Sequence, residues 1–133
     1  MQERTLVLIK PDAIERNLIG AIISEYERNE LNVIEMKMVT ASKSTAKKHY
    51  AEHEGRSFYP NLIEYLTCGP LVALIVEGEN AITRIRALNG STDPQKADDK
   101  TIRALYGLSK PKNTVHSSDS KESAEREIEI WFG

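Results

Sequence analysis

A chain of 133 residues with 29% charged and 40% hydrophobic side chains has the size and mixture of one compact globular domain with a single core. Its net charge of −2 and pI of about 5.9 weigh against non-specific nucleic-acid binding, and no apolar run approaches the ~20 residues needed to cross a bilayer. The lone cysteine, Cys68, excludes an internal disulfide and, set among apolar residues, is expected in the core.

Met1-Gln2-Glu3-Arg4 leads at once into a strand-like run, so no signal peptide is expected and a cytoplasmic location fits. Thr5-Leu6-Val7-Leu8-Ile9 reads as a buried strand, stopped by Lys10-Pro11-Asp12. Asp12 and Glu15 have capping-box spacing, and Ile19, Ile22, Ile23 and Tyr26 mark one face of the helix expected next. Val33, Ile34, Met36, Met38 and Val39 predict a second, largely alternating strand. Ser42 is expected to cap a polar helix over 43–54, and a short helix is predicted over 61–67. Residues 71–76 form the clearest strand. A helix starting at Glu79 or Asn80 runs through Ile82, Ile85 and Leu88 to Gly90. Residues 90–113 lack a period apart from one helical turn at 101–105, and a loop of that length in a small domain is usually functional or disordered. Thr114-Val115-His116 reads as a fourth strand, after which Asp119 or Ser120 caps a helix carrying Ala124 and Ile128. The order β-α-β-α-β-α-β-α fits a ferredoxin-like α+β sandwich or a small doubly wound sheet, and periodicity does not choose between them.

Of three histidines, His49 and His53 lie four apart on the predicted polar helix. That spacing suits zinc, but no third ligand accompanies it, so a solvated helix face is the better expectation. His116 stands at a strand end before a hydroxyl- and acid-rich helix start, Ser117-Ser118-Asp119-Ser120. Helix N-termini attract phosphate, and a neutral imidazole there can act as a nucleophile; the competing reading is a histidine that merely bonds a backbone carbonyl. Lys10, Arg86, Arg103 and Thr92 are surface residues if taken singly, yet with a histidine they suit a triphosphate. None of the seven glycines forms a dinucleotide-binding or Walker loop.

Asn113-Thr114-Val115-His116-Ser117-Ser118-Asp119-Ser120, followed by Ser123-Ala124-Glu125-Arg126-Glu127-Ile128, closely resembles the active-site signature of nucleoside diphosphate kinases. Blocks in family order extend the resemblance over 5–132: Thr5 to Ala13, Arg16 to Gly20, Tyr50, Gly55-Arg56-Ser57-Phe58, Gly69 to Leu74, Arg86, Gly90-Ser91-Thr92-Asp93-Pro94 and Thr101-Ile102-Arg103. The resemblance implies a single domain over 1–133 with the ferredoxin-like α+β sandwich, a four-stranded antiparallel sheet covered by helices. It implies ping-pong transfer of the γ-phosphate from a nucleoside triphosphate to a nucleoside diphosphate, ribo- or deoxyribo-, with little base specificity.

By the same resemblance His116 carries the phosphate, Glu127 orients its imidazole with Ser118 beside it, and Lys10 completes the catalytic set. Lys10, Tyr50, Arg86, Thr92 and Arg103 resemble the phosphate ligands, Lys10 and Asn113 the ribose contacts, and Phe58 with Leu62 the base platform. Mg2+ is expected on the nucleotide phosphates, reached by Asp119 at most through water. No membrane and no specific nucleic acid is implied as a partner. A homo-oligomer is implied, a tetramer or a hexamer of dimers, with a dimer as the smaller option.

The chain departs from the family at Ser117, usually glycine, where a positive φ would strain serine. It departs also at Asp99-Lys100 and at Lys110-Pro111-Lys112, and it stops at Gly133, before the further tail of most relatives. Lys110 stands where an apolar base wall is usual, so the base is expected to be held mainly from the Phe58 side. Two other readings of the chain are a non-enzymatic nucleotide- or RNA-binding regulator of ferredoxin-like fold, and a histidine phosphocarrier serving a protein partner. The second leaves Phe58, Arg86, Thr92 and Arg103 without a task.

Overall fold

The structure, a computed structural model that describes residues 2–108 and 113–133, is organised around β1 (Gln2–Ile9). Residues 5–9 of that strand are all fully buried, as an apolar, β-branched run covered on both faces should be. β3 (Leu71–Glu79) pairs along the whole of β1, with Leu6 opposite Ile75 and Leu8 opposite Ala73. β2 (Asn32–Val39) lies outside β3, and β4 (Val115–Ser117) lies outside the other edge of β1. The order β2-β3-β1-β4, with every neighbouring pair antiparallel, is the ferredoxin-like sandwich. A doubly wound sheet would be parallel, so strand direction decides what periodicity left open.

The helices are α1 (Pro11–Glu15), α2 (Ile19–Arg28), α3 (Lys43–His49), α4 (Tyr59–Leu66), α5 (Ala81–Asn89), α6 (Ile102–Tyr106) and α7 (Lys121–Phe132). Alternation along β1 sends Val7 and Ile9 to one face, where they meet Ile22 and Tyr26 of α2 and Ile85 of α5. Leu6 and Leu8 go to the other face and pack with Ala46 of α3, Ile63 and Leu66 of α4, and Trp131 of α7. The single core expected from chain length is therefore two cores divided by the sheet. Each fully buried aliphatic side chain contributes roughly 1.5–3 kcal/mol to either one. No helix among the described residues is long and apolar enough to cross a membrane.

Several local expectations are corrected. Asp12 caps no helix: its carboxylate bonds Tyr65, Arg16 and Thr114, because it is buried beside those donors. The helix predicted over 43–54 ends at His49, and a 3-10 turn, Ala51–His53, follows. Cys68 is exposed, since its segment has already left α4 and turns toward β3. Residues 90–113 hold a 3-10 turn, Pro94–Lys96, as well as α6. The fourth strand starts one residue later than expected, because Thr114 takes φ 77°.

Two predicted caps are present: Ser42 Oγ accepts from Thr45 N at 3.1 Å, and Ser120 Oγ accepts from Ser123 N at 3.1 Å. Because Ser120 satisfies an otherwise orphaned N–H of α7, Ser120→Ala should lower stability by about 1 kcal/mol. Urea unfolding should show a lower midpoint at an unchanged slope; an unchanged midpoint would mean that the cap contributes nothing.

Candidate active site

Antiparallel pairing sets His116 opposite Leu8, so its side chain leaves the sheet on the face covered by α3, α4 and α7. There it meets Glu127, one of the buried residues on the inner face of α7. His116 Nε2 lies 2.8 Å from Glu127 Oε1, and Ser118 Oγ donates to the same oxygen at 2.8 Å. Ser118, fully buried, in turn accepts from Leu6 N of β1 at 3.3 Å, and its own N–H bonds Leu6 O at 3.1 Å. With Glu127 a carboxylate, both hydrogen bonds to Oε1 are accepted, so the imidazole presents Nε2 as N–H. Nδ1 is then the nitrogen with a free lone pair, a question the sequence left open. A carboxylate that fixes the tautomer of a neutral imidazole prepares a nucleophile.

His116 opens into a cavity of about 700 Å³. Lys10, Tyr50, Phe58, Leu62, Arg86, Thr92, Arg103, Asn113, Asp119 and Glu127 line it, so the expected site residues converge, while Ser118 sits behind the wall as the support of Glu127. Lys10 Nζ donates to Asn113 Oδ1 at 3.0 Å, and Asn113 Nδ2 donates to Thr92 O at 3.0 Å, tying the end of β1 to the loop after α5. Arg103 is bound to backbone, its Nη1 to Gly90 O at 2.7 Å and its Nη2 to Val115 O at 2.8 Å, and its Nε is buried without a partner. Arg86 is exposed on α5 and makes no hydrogen bond with a described residue. One arginine is thus held in place by protein carbonyls, and the other is free to meet an anion.

Thr114 carries local strain. It has φ 77°, a costly value for a β-branched residue, and Val115 N bonds Asn113 O at 2.8 Å across it, closing a three-residue turn. Its hydroxyl donates to Asp12 Oδ2 at 2.9 Å and accepts from Arg16 Nη2 at 3.3 Å, while its carbonyl accepts from Lys10 N at 2.8 Å. These contacts hold the bend that aims Asn113 at Lys10 and sends the next residues into β4. Ser117, by contrast, is not strained: it pairs with Val7 as ordinary strand, so no positive φ is required there.

Burial sets the electrostatics. His116 is held well below its ordinary range by burial first and then by the cations of Lys10 and Arg103, with Asp119 acting in the opposite sense. Burial also lowers Lys10, to about 8, with Arg103 adding to the effect and Asp12 opposing it. Burial raises Glu127, which His49 and the Ser118 hydrogen bond pull back down. Asp119 stays ionised, below the usual carboxylate range, through its hydrogen bond with Ser123 and then through Arg86.

His49 is the residue that sequence reasoning placed wrongly. It is 2% exposed, not solvated, and it lies against His116 instead of pairing with His53. Ala46, His49 and Tyr50 share one inward face of α3 and its end, and that i, i+3, i+4 stripe was the available signal. His53, Glu52, Asn61 and Ser117 also line the cavity without having been singled out as site residues. His49, His116 and Glu127 offer ligand atoms within 4.8 Å of one another, the composition of a zinc site. They do not form one: His116 and Glu127 are in direct hydrogen bond, and His49 Nδ1 accepts from Trp131. The expected base wall at Lys110, with Pro111, lies outside the described residues.

Comparison with known proteins gives one answer. The family model described as nucleoside diphosphate kinase matches residues 3–133. A nucleoside diphosphate kinase of Clostridium perfringens is 55% identical over 130 residues, covering 98% of this chain and 91% of that protein. One from Methanocaldococcus jannaschii is 47% identical over 132 residues, with coverage of 99% and 94%. Among solved structures, the Aquifex aeolicus nucleoside diphosphate kinase superposes with a TM-score of 0.97 at 38% identity, over 100% of this chain and 96% of that one.

The two buried histidines generate a pH prediction. The unfolded chain protonates each near pH 6.5, while the folded protein keeps both His49 and His116 neutral. Their contribution to stability is full above about pH 6.5 and is lost as pH falls below it. Each uptake steepens the decline by up to about 1.4 kcal/mol per pH unit. His116→Asn should remove one share, so its urea midpoint should fall less than that of the wild type between about pH 6.5 and 5. Equal declines would mean that His116 is already protonated in the folded state.

Proposed function

The chain belongs to the nucleoside diphosphate kinase family, and from that premise we propose that His116 is the residue through which it passes phosphate. The reaction is ping-pong transfer of the γ-phosphate from a nucleoside triphosphate to a nucleoside diphosphate by way of a phosphohistidine. The observation that carries the assignment is the Nε2–Glu127 hydrogen bond on a histidine that opens into the cavity, which leaves Nδ1 as the reactive nitrogen. In the first half-reaction the Nδ1 lone pair attacks the γ-phosphorus and the bond to the β,γ-bridging oxygen breaks, releasing the diphosphate. In the second, a terminal oxygen of the acceptor diphosphate attacks the same phosphorus and the N–P bond breaks, which restores the neutral imidazole. Glu127 holds Nε2–H throughout and stabilises the positive charge that the ring gains on phosphorylation.

Lys10, Tyr50, Arg86, Thr92 and Arg103 are proposed as the phosphate ligands, since charge and hydrogen bonds placed around the transferring group are the main requirement of phosphoryl transfer. Asn113 with Lys10 is proposed at the ribose, and Phe58, 44% exposed beside Leu62, as the base platform. A platform that touches only the face of a base reads none of its edges, in keeping with little base specificity. The ionised Asp119 on the cavity wall suits Mg2+, a hard cation that is commonly held by one or two carboxylates plus substrate phosphates. When bound, Mg2+ would neutralise charge on the phosphates. Residues 1–133 are read as one catalytic domain, and self-association into a homo-oligomer is part of the same proposal. Its support is the edge strand β2, where Ile34, Met36 and Met38 are exposed.

Incubation with ATP and Mg2+ should add one acid-labile phosphate to the intact protein, and His116→Asn should abolish both the label and turnover. A labelled His116→Asn protein would overturn the assignment. Arg86→Ala should lower kcat/KM by about ten- to a hundred-fold with little change in Tm, because the exposed side chain makes no hydrogen bond with a described residue. Arg103→Ala should lower both, because it also strips hydrogen bonds from Gly90 and Val115. Steady-state kinetics beside thermal melts separate the two, and an Arg86→Ala enzyme of wild-type kcat/KM would remove that residue from the site.

A further inference from the structure

Glu127 alone does not set the plane of the His116 ring. Nε2 lies close to the Cβ–Cγ axis, so one hydrogen bond there resists only weakly the rotation about that bond that swings Nδ1. A wall against the ring would stop that rotation, and one is present. The His49 and His116 rings meet edge to face, with centroids 4.4 Å apart and planes at 77°. His49 itself is clamped: Trp131 Nε1, a donor only, bonds His49 Nδ1 at 3.1 Å. Nδ1 must therefore be the acceptor, the proton sits on Nε2, and a ring flip would set a carbon before the indole N–H. Tyr50 packs edge-on at 4.8 Å and Trp131 at 5.7 Å, so with His116 three rings surround one that burial keeps neutral. A core filler of this size needs no polar ring, and no proposed phosphate contact uses one here.

Resting on the reading of His116 as the nucleophile, we infer that His49, locked by Trp131, is a positioning residue that fixes the plane of the His116 imidazole and so the aim of Nδ1. A misplacement of about 1 Å at a reacting atom can cost a hundred-fold. Rapid-quench measurement of phosphoenzyme formation from ATP, at saturating Mg2+, tests the inference on the full chain. His49→Ala should slow the phosphorylation step about ten- to a hundred-fold while the nucleotide Kd stays within about three-fold. His49→Phe keeps a ring wall and should recover most of that loss. Trp131→Phe should slow the step less, and the double variant His49→Ala/Trp131→Phe should be no slower than His49→Ala, since Trp131 acts through His49. Histidine ¹⁵N spectra supply a second readout: His116 should show a single Nε2–H tautomer in the wild type and exchange broadening or mixed tautomers in His49→Ala. If His49→Ala melts earlier yet phosphorylates at the wild-type rate with an unchanged His116 spectrum, His49 is packing only and the inference falls. A wild-type protein that takes up no phosphate would instead overturn the reading of His116, a distinct result.

Discussion

Glu127 Oε1 accepts two hydrogen bonds, one from the imidazole and one from Ser118, and the arrangement of the site depends on that shared oxygen. The carboxylate comes from α7, the imidazole from β4, and Ser118 is held to the backbone of Leu6 in β1. One acceptor therefore joins the last helix to an edge strand and to a central strand. Burying a carboxylate is costly unless its oxygens are satisfied. The arrangement meets that cost with donors that are useful in themselves: one fixes a tautomer, and the other braces the chain just beyond the histidine.

The same reasoning explains the cations. Lys10 is buried and its ammonium is held below its ordinary range, so the free site carries charge that lacks full solvation. On the proposed assignment an arriving polyphosphate would supply the missing counter-charge, and interactions in such a partly dry cavity are stronger than they would be in water. Arg103 is positioned by two backbone carbonyls, so in the proposed role it would lose little side-chain entropy on meeting a ligand. The strained turn at Thr114 belongs to this economy. A residue at φ 77° persists only where its surroundings over-determine it, and here the buried Asp12 and the more exposed Arg16 hold the hydroxyl while Lys10 N holds the carbonyl. The bend places Asn113 against Lys10 on one side and starts β4, with His116, on the other.

Much of this was legible from residue order. The apolar run 5–9 and the run 71–76 became the two central strands because buried β-branched and aliphatic stretches have few other stable conformations. Ser42 and Ser120 capped the helices they were expected to cap, since N-cap chemistry is local. His116, Lys10 and the arginines were singled out by residue type and position, Glu127 by resemblance to a motif-rich family, and they line one cavity. Asp12 misled because its capping-box spacing is also a local pattern, whereas two of its three side-chain partners, Tyr65 and Thr114, are distant in sequence. His49 misled for the same reason: a helix with Lys47 and Lys48 beside it looks solvated until Trp131 is brought against it.

What the sequence by itself determined is the main strands and helices and two of their caps, which rest on periodicity and short-range pattern, and the family and the chemical types at the site, which rest on resemblance. Strand direction, which periodicity left open, was expected from the resemblance alone; what only the tertiary structure decided is the division of one expected core into two, the strain at Thr114, its absence at Ser117, and the ring nitrogen left free on His116. Each of these depends on groups far apart in the chain meeting at distances near 3 Å, and a hydrogen bond of that range is invisible to any window along the sequence. His49 marks the boundary most sharply: its position on a helix is local, but its burial, its tautomer and its place against His116 follow from an indole 82 residues away.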